Sequence, residues 1–323
     1  MDPMEHITQL DELNFSDLYI RIDMRSPSRY RIGPNPEGLL GNFRVPQEYE
    51  GQIDIIRTQI EKSQTSEGTI THDSMRLRYS TAHVVNDQKW AAIRRIPLDV
   101  PFLDDLDMLP EALNVIRGWS RRRGVVLIGG STGAGKTTTA SSILQDFLYG
   151  TGGTAVAIED PPEYLLQGEV GDAGACYQIE VRDDDWSSAV KTALRWRPRY
   201  IFIGEIRTPE AANQALRAST SGHLVLATIH GGSVEETVNA LLSLNTAANN
   251  MRETGRSLLA DNLVGVIHQR LGVHGPDLDI LSVPSGRNSG ELRQLLRDNR
   301  LSRLQEYTTA YLAKRPPVRP ARA

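Results

Sequence analysis

A chain of 323 residues with 39% hydrophobic and 24% charged side chains has the balance of an ordinary globular protein and the length of two domains rather than one. Its formal net charge of −4 excludes a global field that would draw nucleic acid or acidic lipid, so no DNA partner is expected. A single cysteine, Cys176, excludes an intramolecular disulfide framework and a Cys-only zinc module, and reads as a small residue near a loop.

The first residues, MDPMEHITQLDEL, carry acids where a secretory leader would carry bases before an apolar run. No stretch reaches the ~18 uninterrupted apolar residues of a membrane span. A soluble cytoplasmic chain is expected, with any membrane role peripheral. Residues 1–100 read as an N-terminal α+β domain, with strands over 18–22, 75–79 and 90–96 and a helix over 49–61. The proline- and glycine-rich stretch 26–46 reads as loops or hairpin turns. Residues 101–110 combine prolines and acids without a clear period and read as a linker. From 111 to 312 the pattern changes to a helix over 111–120, then apolar runs over 125–128, 154–158, 200–203 and 224–228 with helical stretches between them. Buried runs alternating with helices predict an α/β domain with a parallel sheet covered on both faces. Residues 313–323, basic and rich in proline, are expected to be a disordered tail.

Between the first run and its helix lies Gly130-Ser131-Thr132-Gly133-Ala134-Gly135-Lys136-Thr137, followed by Thr138. It satisfies G-x-x-x-x-G-K-[ST] in the strand-to-helix setting that gives the motif its meaning. The glycines let the backbone curl so that its N–H groups face phosphate oxygens, and the helix adds its positive amino end. Lys136 is expected on the β/γ-phosphates of ATP and Thr137 on Mg²⁺. The run 200–203 leads into Gly204-Glu205, where a carboxylate beside the phosphates can orient the attacking water. The run 154–158 ends in Glu159-Asp160-Pro-Pro-Glu163-Tyr164. Acids crowded at one strand end call for a positive partner such as a Mg²⁺–nucleotide, with Asp160 and Glu163 as candidate metal ligands. His223 and His230 bracket the run 224–228. Seven extended residues part them by roughly 23 Å, so they cannot share a metal, and His230 stands at the end that reaches the phosphates. Arg195, Arg197, Arg199, Arg207 and Arg217 surround these strands, and a guanidinium bridging the γ-phosphate is often supplied by a neighbouring subunit.

Taken in order, GGSTGAGKTT, AIEDPPEY, IFIGEIR, SGHLVLATIH and LADNLVGVIHQRL resemble the Walker A loop, Asp box, atypical Walker B, His box and following strand of the secretion ATPase superfamily. That superfamily serves type II secretion, type IV pili and type IV secretion or conjugation. The resemblance covers roughly residues 125–271 and extends more loosely to both ends. It implies a RecA-like P-loop motor domain with a smaller N-terminal α+β PAS-like domain, assembled as a homohexamer against an inner-membrane platform protein. It further implies Glu205 as the catalytic glutamate, Glu163 as the important Asp-box acid, and His230 and His223 as the His-box pair. Arg195 and Arg207 match arginines near the nucleotide. Arg76, Arg78 and Arg94 match N-terminal arginines that reach it. The basic stretch Trp196-Arg-Pro-Arg199 looks closer to conjugation and type IVB secretion motors, and the chain lacks a four-cysteine module, as compact retraction motors do. Gly290-Glu-Leu-Arg-Gln-Leu-Leu-Arg297 is loosely similar to the C-terminal helix of retraction motors, and as a bare pattern is an amphipathic helix. Two other readings fit a P-loop: a RecA-like DNA translocase, and a regulatory scaffold that binds nucleotide without turning it over.

Overall fold

A computed structural model describes residues 10–32, 41–181, 185–249, 252–272 and 274–313. The chain divides into two compact units, Met1–Leu98 and Asp99–Ala323. Of the expected disordered tail at 313–323, residues 314–323 lie outside the described residues, and the Ala313 N–H donates to Asp277.

Among the described residues, the N-terminal unit has one six-stranded sheet and one long helix. Its strands are β1 (Asp17–Arg21), β2 (Arg29–Arg31), β3 (Asn42–Arg44), β4 (Glu67–His72), β5 (Met75–Val84) and β6 (Gln88–Ile96), and α1 (Glu50–Ser63) precedes β4. All pairings are antiparallel, in the order β3-β2-β1-β6-β5-β4. Alternation in β5 sends Met75, Leu77 and Tyr79 to the core and Arg76 and Arg78 to the opposite face. Ile53, Ile56 and Ile60, spaced along one stripe of α1, join Leu18, Ile20, Leu77 and Ile93 in that core. The stretch 26–46, expected as loops or turns, also contributes the short strands β2 and β3. Three residues are too few to show the alternation of a strand, which explains why no periodicity announces them.

The second unit carries α2 (Pro110–Arg117), β7 (Gly124–Gly130), α3 (Lys136–Thr151), β8 (Gly153–Glu159), β9 (Gly168–Val170), β10 (Gly174–Glu180), α4 (Trp186–Arg195) and β11 (Tyr200–Ile206). It continues with α5 (Pro209–Thr220), β12 (Leu224–His230), α6 (Val234–Asn249), α7 (Arg252–Asn262), β13 (Leu263–Gly272), β14 (Gly275–Ser282), α8 (Gly290–Arg297) and β15 (Thr308–Tyr311). The nine strands form one sheet in the order β15-β14-β13-β7-β12-β11-β8-β10-β9. From β13 to β10 the pairings are parallel, and the outer strands β14, β15 and β9 are antiparallel.

The central strands are buried on both faces. Val125 and Leu127 of β7 point into one core with Leu216, Val238 and Leu259, whereas Val126 and Ile128 point into the other with Ile116, Ile143 and Phe147. Every residue of β7 is therefore covered, as a parallel sheet between two helical layers requires. Helix starts are written locally. Asp185 accepts from the Ser188 N–H ahead of α4, Thr208 accepts from the Ala211 N–H ahead of α5, and Pro209 takes the first helical position. Leu103 and Met108, from the segment 101–110 read as a linker, and Val100 just before it are buried in the second of these cores. Cys176 is buried there too, and burial pushes its thiol up to about 12, so it behaves as a small apolar residue. No helix among the described residues is long and apolar enough to cross a membrane.

Candidate nucleotide site at the carboxyl edge of the sheet

Because β7, β8, β11, β12 and β13 run parallel, their carboxyl ends meet along one edge, where open α/β sheets bind ligands. β7 delivers Gly130 to this edge and α3 begins six residues later at Lys136. The intervening turn needs left-handed backbone at Gly133 (φ +79°) and Gly135 (φ +80°), which a Cβ would strain. Lys136 is buried, and its Nζ donates to the Ser131 carbonyl at 3.0 Å. Burial holds its pKa below the ordinary lysine value; Glu205 and Glu163 act in the opposite sense, and Arg207 adds to the depression. The lysine of one motif thus lies within electrostatic reach of residues singled out on two others. Ser131 and Thr132 are exposed at the tip of the loop, Ala134 is buried, and Thr137 is half-buried. The Thr138 hydroxyl shares a 2.8 Å hydrogen bond with the Tyr164 hydroxyl, fastening α3 to the acidic loop after β8.

Glu205 is the penultimate residue of β11, and Arg207 donates through Nε to its carboxylate. Gly204 has a steric reason. A Cβ built there would lie 2.9 Å from Cγ of Glu159 on the adjacent strand β8. Glu159 is buried and accepts a 2.9 Å hydrogen bond from Gln178 Nε2, which also donates to the Tyr164 carbonyl. The Thr228 hydroxyl donates to the Gly204 carbonyl from the other neighbouring strand. Glu159 and Gln178, which brace this edge, are not among the candidate site residues that the sequence offers. The signal lies in where the strand stops, since β8 is buried through its last residue, Glu159, while Asp160 and Glu163 beyond it are exposed.

His230 pairs in register with Gly130 and is exposed beside the loop. His223 stands at the other end of the sheet, where its Nδ1 meets the Pro198 carbonyl at 2.6 Å. Arg207 is at the site, but Arg195 is not. It ends α4, the helix that carries the chain from the carboxyl edge back to the start of β11. Arg76, Arg78 and Arg94 belong to the N-terminal unit, where Arg78 pairs with Arg94 across β5 and β6. Arg94 donates through Nε to Asp17 at 3.1 Å.

The donor chemistry suits Mg²⁺. That ion is held by one or two protein oxygens with substrate phosphates completing its shell, not by a dedicated protein cage. The Thr137 hydroxyl and the Glu163 and Asp160 carboxylates are oxygens of this kind, and no cluster of three or more His, Cys, Asp or Glu able to hold a metal occurs among the described residues.

Residues 51–277, more than half of the chain, match the family described as type II/IV secretion system protein. The chain belongs to this family. Among its relatives, the competence protein ComGA of Halalkalibacterium halodurans is 36% identical over 178 residues, which is 54% of this chain and 49% of ComGA. The chain spans about half the length of the curated relatives it matches. Among solved structures, the ATPase DotB of Legionella pneumophila aligns with a TM-score of 0.72 at 21% identity, covering 95% of this chain and 87% of DotB. The pilus retraction motor PilT with bound ADP aligns with a TM-score of 0.70 at 26% identity, covering 92% of this chain and 86% of PilT. This member of the secretion family has the expected fold class, a RecA-like P-loop unit with a smaller α+β unit ahead of it.

Proposed function

We propose that the chain is an ATPase that turns the free energy of ATP hydrolysis into motion for a type IV pilus or a type IV secretion or conjugation machine. The observation that carries this reading is the strand–loop–helix from Gly130 to Lys136, with Lys136 buried and donating to the Ser131 carbonyl, at the same carboxyl edge of the sheet where Glu205 stands near the end of β11 and His230 pairs with Gly130. Kinship with a pilus retraction motor that binds ADP in the same fold supports it. In this reading the loop N–H groups and Lys136 would hold the β- and γ-phosphates, and Thr137 with Glu163 and Asp160 would hold Mg²⁺. That ion would neutralise charge on the phosphates. Glu205 orients a water in line with the γ-phosphate and accepts its proton. Arg207 exchanges Glu205 for the charge that develops on the γ-phosphoryl group as it passes to water and ADP leaves, and His230 lies where it can meet the same oxygens.

The working form is a homohexamer, in which Arg195 and the N-terminal Arg76, Arg78 and Arg94 serve a neighbour's nucleotide. This arrangement accounts for Arg195 lying away from the P-loop of its own chain. Closing and opening of subunit interfaces would pass a rigid-body stroke to an inner-membrane platform protein, with the motor held peripherally on the cytoplasmic side. Residues 1–100 would act as the PAS-like arm, 111–312 as the motor and 313–323 as the tail, with 101–110, read from sequence as a linker, packed on the motor through Leu103 and Met108 and not a free joint. Phosphate release from Mg²⁺-ATP is the test. Wild type releases phosphate and Lys136→Ala does not; equal rates in the two would refute the assignment.

A further inference from the structure

The phosphate loop does not hold its own shape. Gln269, near the end of β13 and 2% exposed, reaches it from a position 135 residues away in sequence and donates through Nε2 to the Ala134 carbonyl at 2.6 Å. The contact is close at both ends of the turn. A Cβ built on Gly130 would lie 2.6 Å from the Gln269 carbonyl oxygen, and one built on Gly135 would lie 3.0 Å from its Nε2. A single residue of the neighbouring strand therefore presses on the first and last glycines of the loop.

The bond has a directional consequence. The peptide joining Ala134 to Gly135 is planar and trans, so its C=O and N–H point in opposite directions. Drawing the carbonyl towards β13 turns the Gly135 N–H away from β13, and the left-handed Gly135 accommodates that plane. The amide has one workable orientation, because turning it over would set Oε1 against the Ala134 oxygen, acceptor against acceptor. In the orientation it adopts, Oε1 is buried without a hydrogen-bond partner among the described residues. Leaving that oxygen unmatched is unfavourable. A leucine of similar size would avoid the penalty but could not hold the carbonyl.

We propose that Gln269 is a positioning residue for the nucleotide, setting the Ala134–Gly135 peptide so that the Gly135 N–H is aimed at a β-phosphate oxygen. The proposal rests on the nucleotide-site reading above and adds a part to it that lies outside the five sequence motifs' assigned roles. It makes phosphate binding sensitive to the position of β13, since a shift of that strand would rotate the peptide.

The test is ADP binding in Mg²⁺ buffer, by calorimetry on the full chain, for wild type, Gln269→Leu and Gln269→Glu. Melting of the ligand-free proteins serves as the control for folding. Both variants are expected to bind ADP about tenfold more weakly than wild type at about pH 8.5, the loss of one oriented hydrogen bond. Gln269→Glu carries the decisive readout. Its carboxylate only accepts, but its protonated form regains a donor for the Ala134 carbonyl, and burial favours that form. Its ADP affinity should recover towards wild type as the pH is lowered to about 6, with Gln269→Leu showing no such recovery. Packing damage alone would not be repaired by acid. Variants that bind ADP within about twofold of wild type would overturn the proposal, as would a Gln269→Glu defect indifferent to pH. Failure of wild type to bind ADP at all would overturn the nucleotide site itself, and the brace with it.

Discussion

Arg207 closes an ion pair on Glu205, two residues earlier at the carboxyl end of β11, with Arg207 mostly exposed and Glu205 mostly covered. A candidate base and a candidate charge stabiliser thus occupy each other beside Lys136, which responds to both. Exposure leaves the guanidinium free to swing, so the pair reads as a latch and contributes little to stability by itself.

Arg207→Ala should therefore leave folding nearly unchanged and lower kcat on the order of 10²-fold, with a smaller change in the KM for ATP. Arg207→Lys should recover only part of the rate, because an ammonium lacks the planar fork of a guanidinium. Steady-state kinetics beside a thermal melt check both statements. A kcat within twofold of wild type for the alanine variant would remove Arg207 from the proposed chemistry.

Gly204 is a packing constraint, with Glu159 Cγ 2.9 Å from where its Cβ would be. Gly204→Ala should destabilise the second unit by about 1–3 kcal/mol, the usual cost of forcing a methyl into a filled core. Combining it with Glu159→Ala should cost less than the sum of the two, because the second change removes the atom that clashes. Urea unfolding of the four proteins in the cycle measures the coupling. Additive effects would mean that the β8–β11 contact does not explain the glycine.

The same pair shows how much of this chain was legible in advance. The phosphate loop is local chemistry: strand, glycines, lysine and helix follow one another, so Gly130 to Thr138 could be read without knowing the fold. Which acid of Glu159-Asp160-Pro-Pro-Glu163 turns inward depends on where β8 stops, and Glu159 is the buried one. Gln269 was visible only as part of a motif string. Its bond to Ala134 exists because β13 lies beside β7, a pairing that strand periodicity alone does not specify. Val100, Leu103 and Met108 had no period to betray them among prolines and acids, yet they are buried on the face covered by α2 and α3. The arginines were the least legible. Arg195 and Arg207 looked alike in sequence, but strand β11 runs from the edge that holds Arg195 to the edge that holds Arg207.

In the N-terminal unit, burial alone would raise the Asp17 pKa, but hydrogen bonds from Ser16, Arg31 and Arg94 outweigh it and hold the carboxyl below its usual value. A depressed native pKa contributes stability that is complete above the unfolded value of about 3.9 and is lost as pH falls through the native one. Asp17→Asn should weaken this unit at neutral pH, and its deficit against wild type should shrink as the pH drops below about 4. Hydrogen exchange of peptides from β1 and β6, pulsed at fixed pH after acid incubation, follows the unit by itself. A deficit that is constant with pH would show that the ion cluster is not its source.

The central claim is hydrolysis of ATP at sites completed between subunits, and its most direct measurement is phosphate release per subunit against protein concentration, for wild type and Glu205→Gln. The account predicts a wild-type rate per subunit that climbs with concentration as the ring assembles. It also predicts that the variant still binds ATP but turns it over on the order of 10²- to 10⁴-fold more slowly. Turnover at an undiminished rate in Glu205→Gln, or a wild-type rate as high in a sized monomer as in the assembled form, would contradict it.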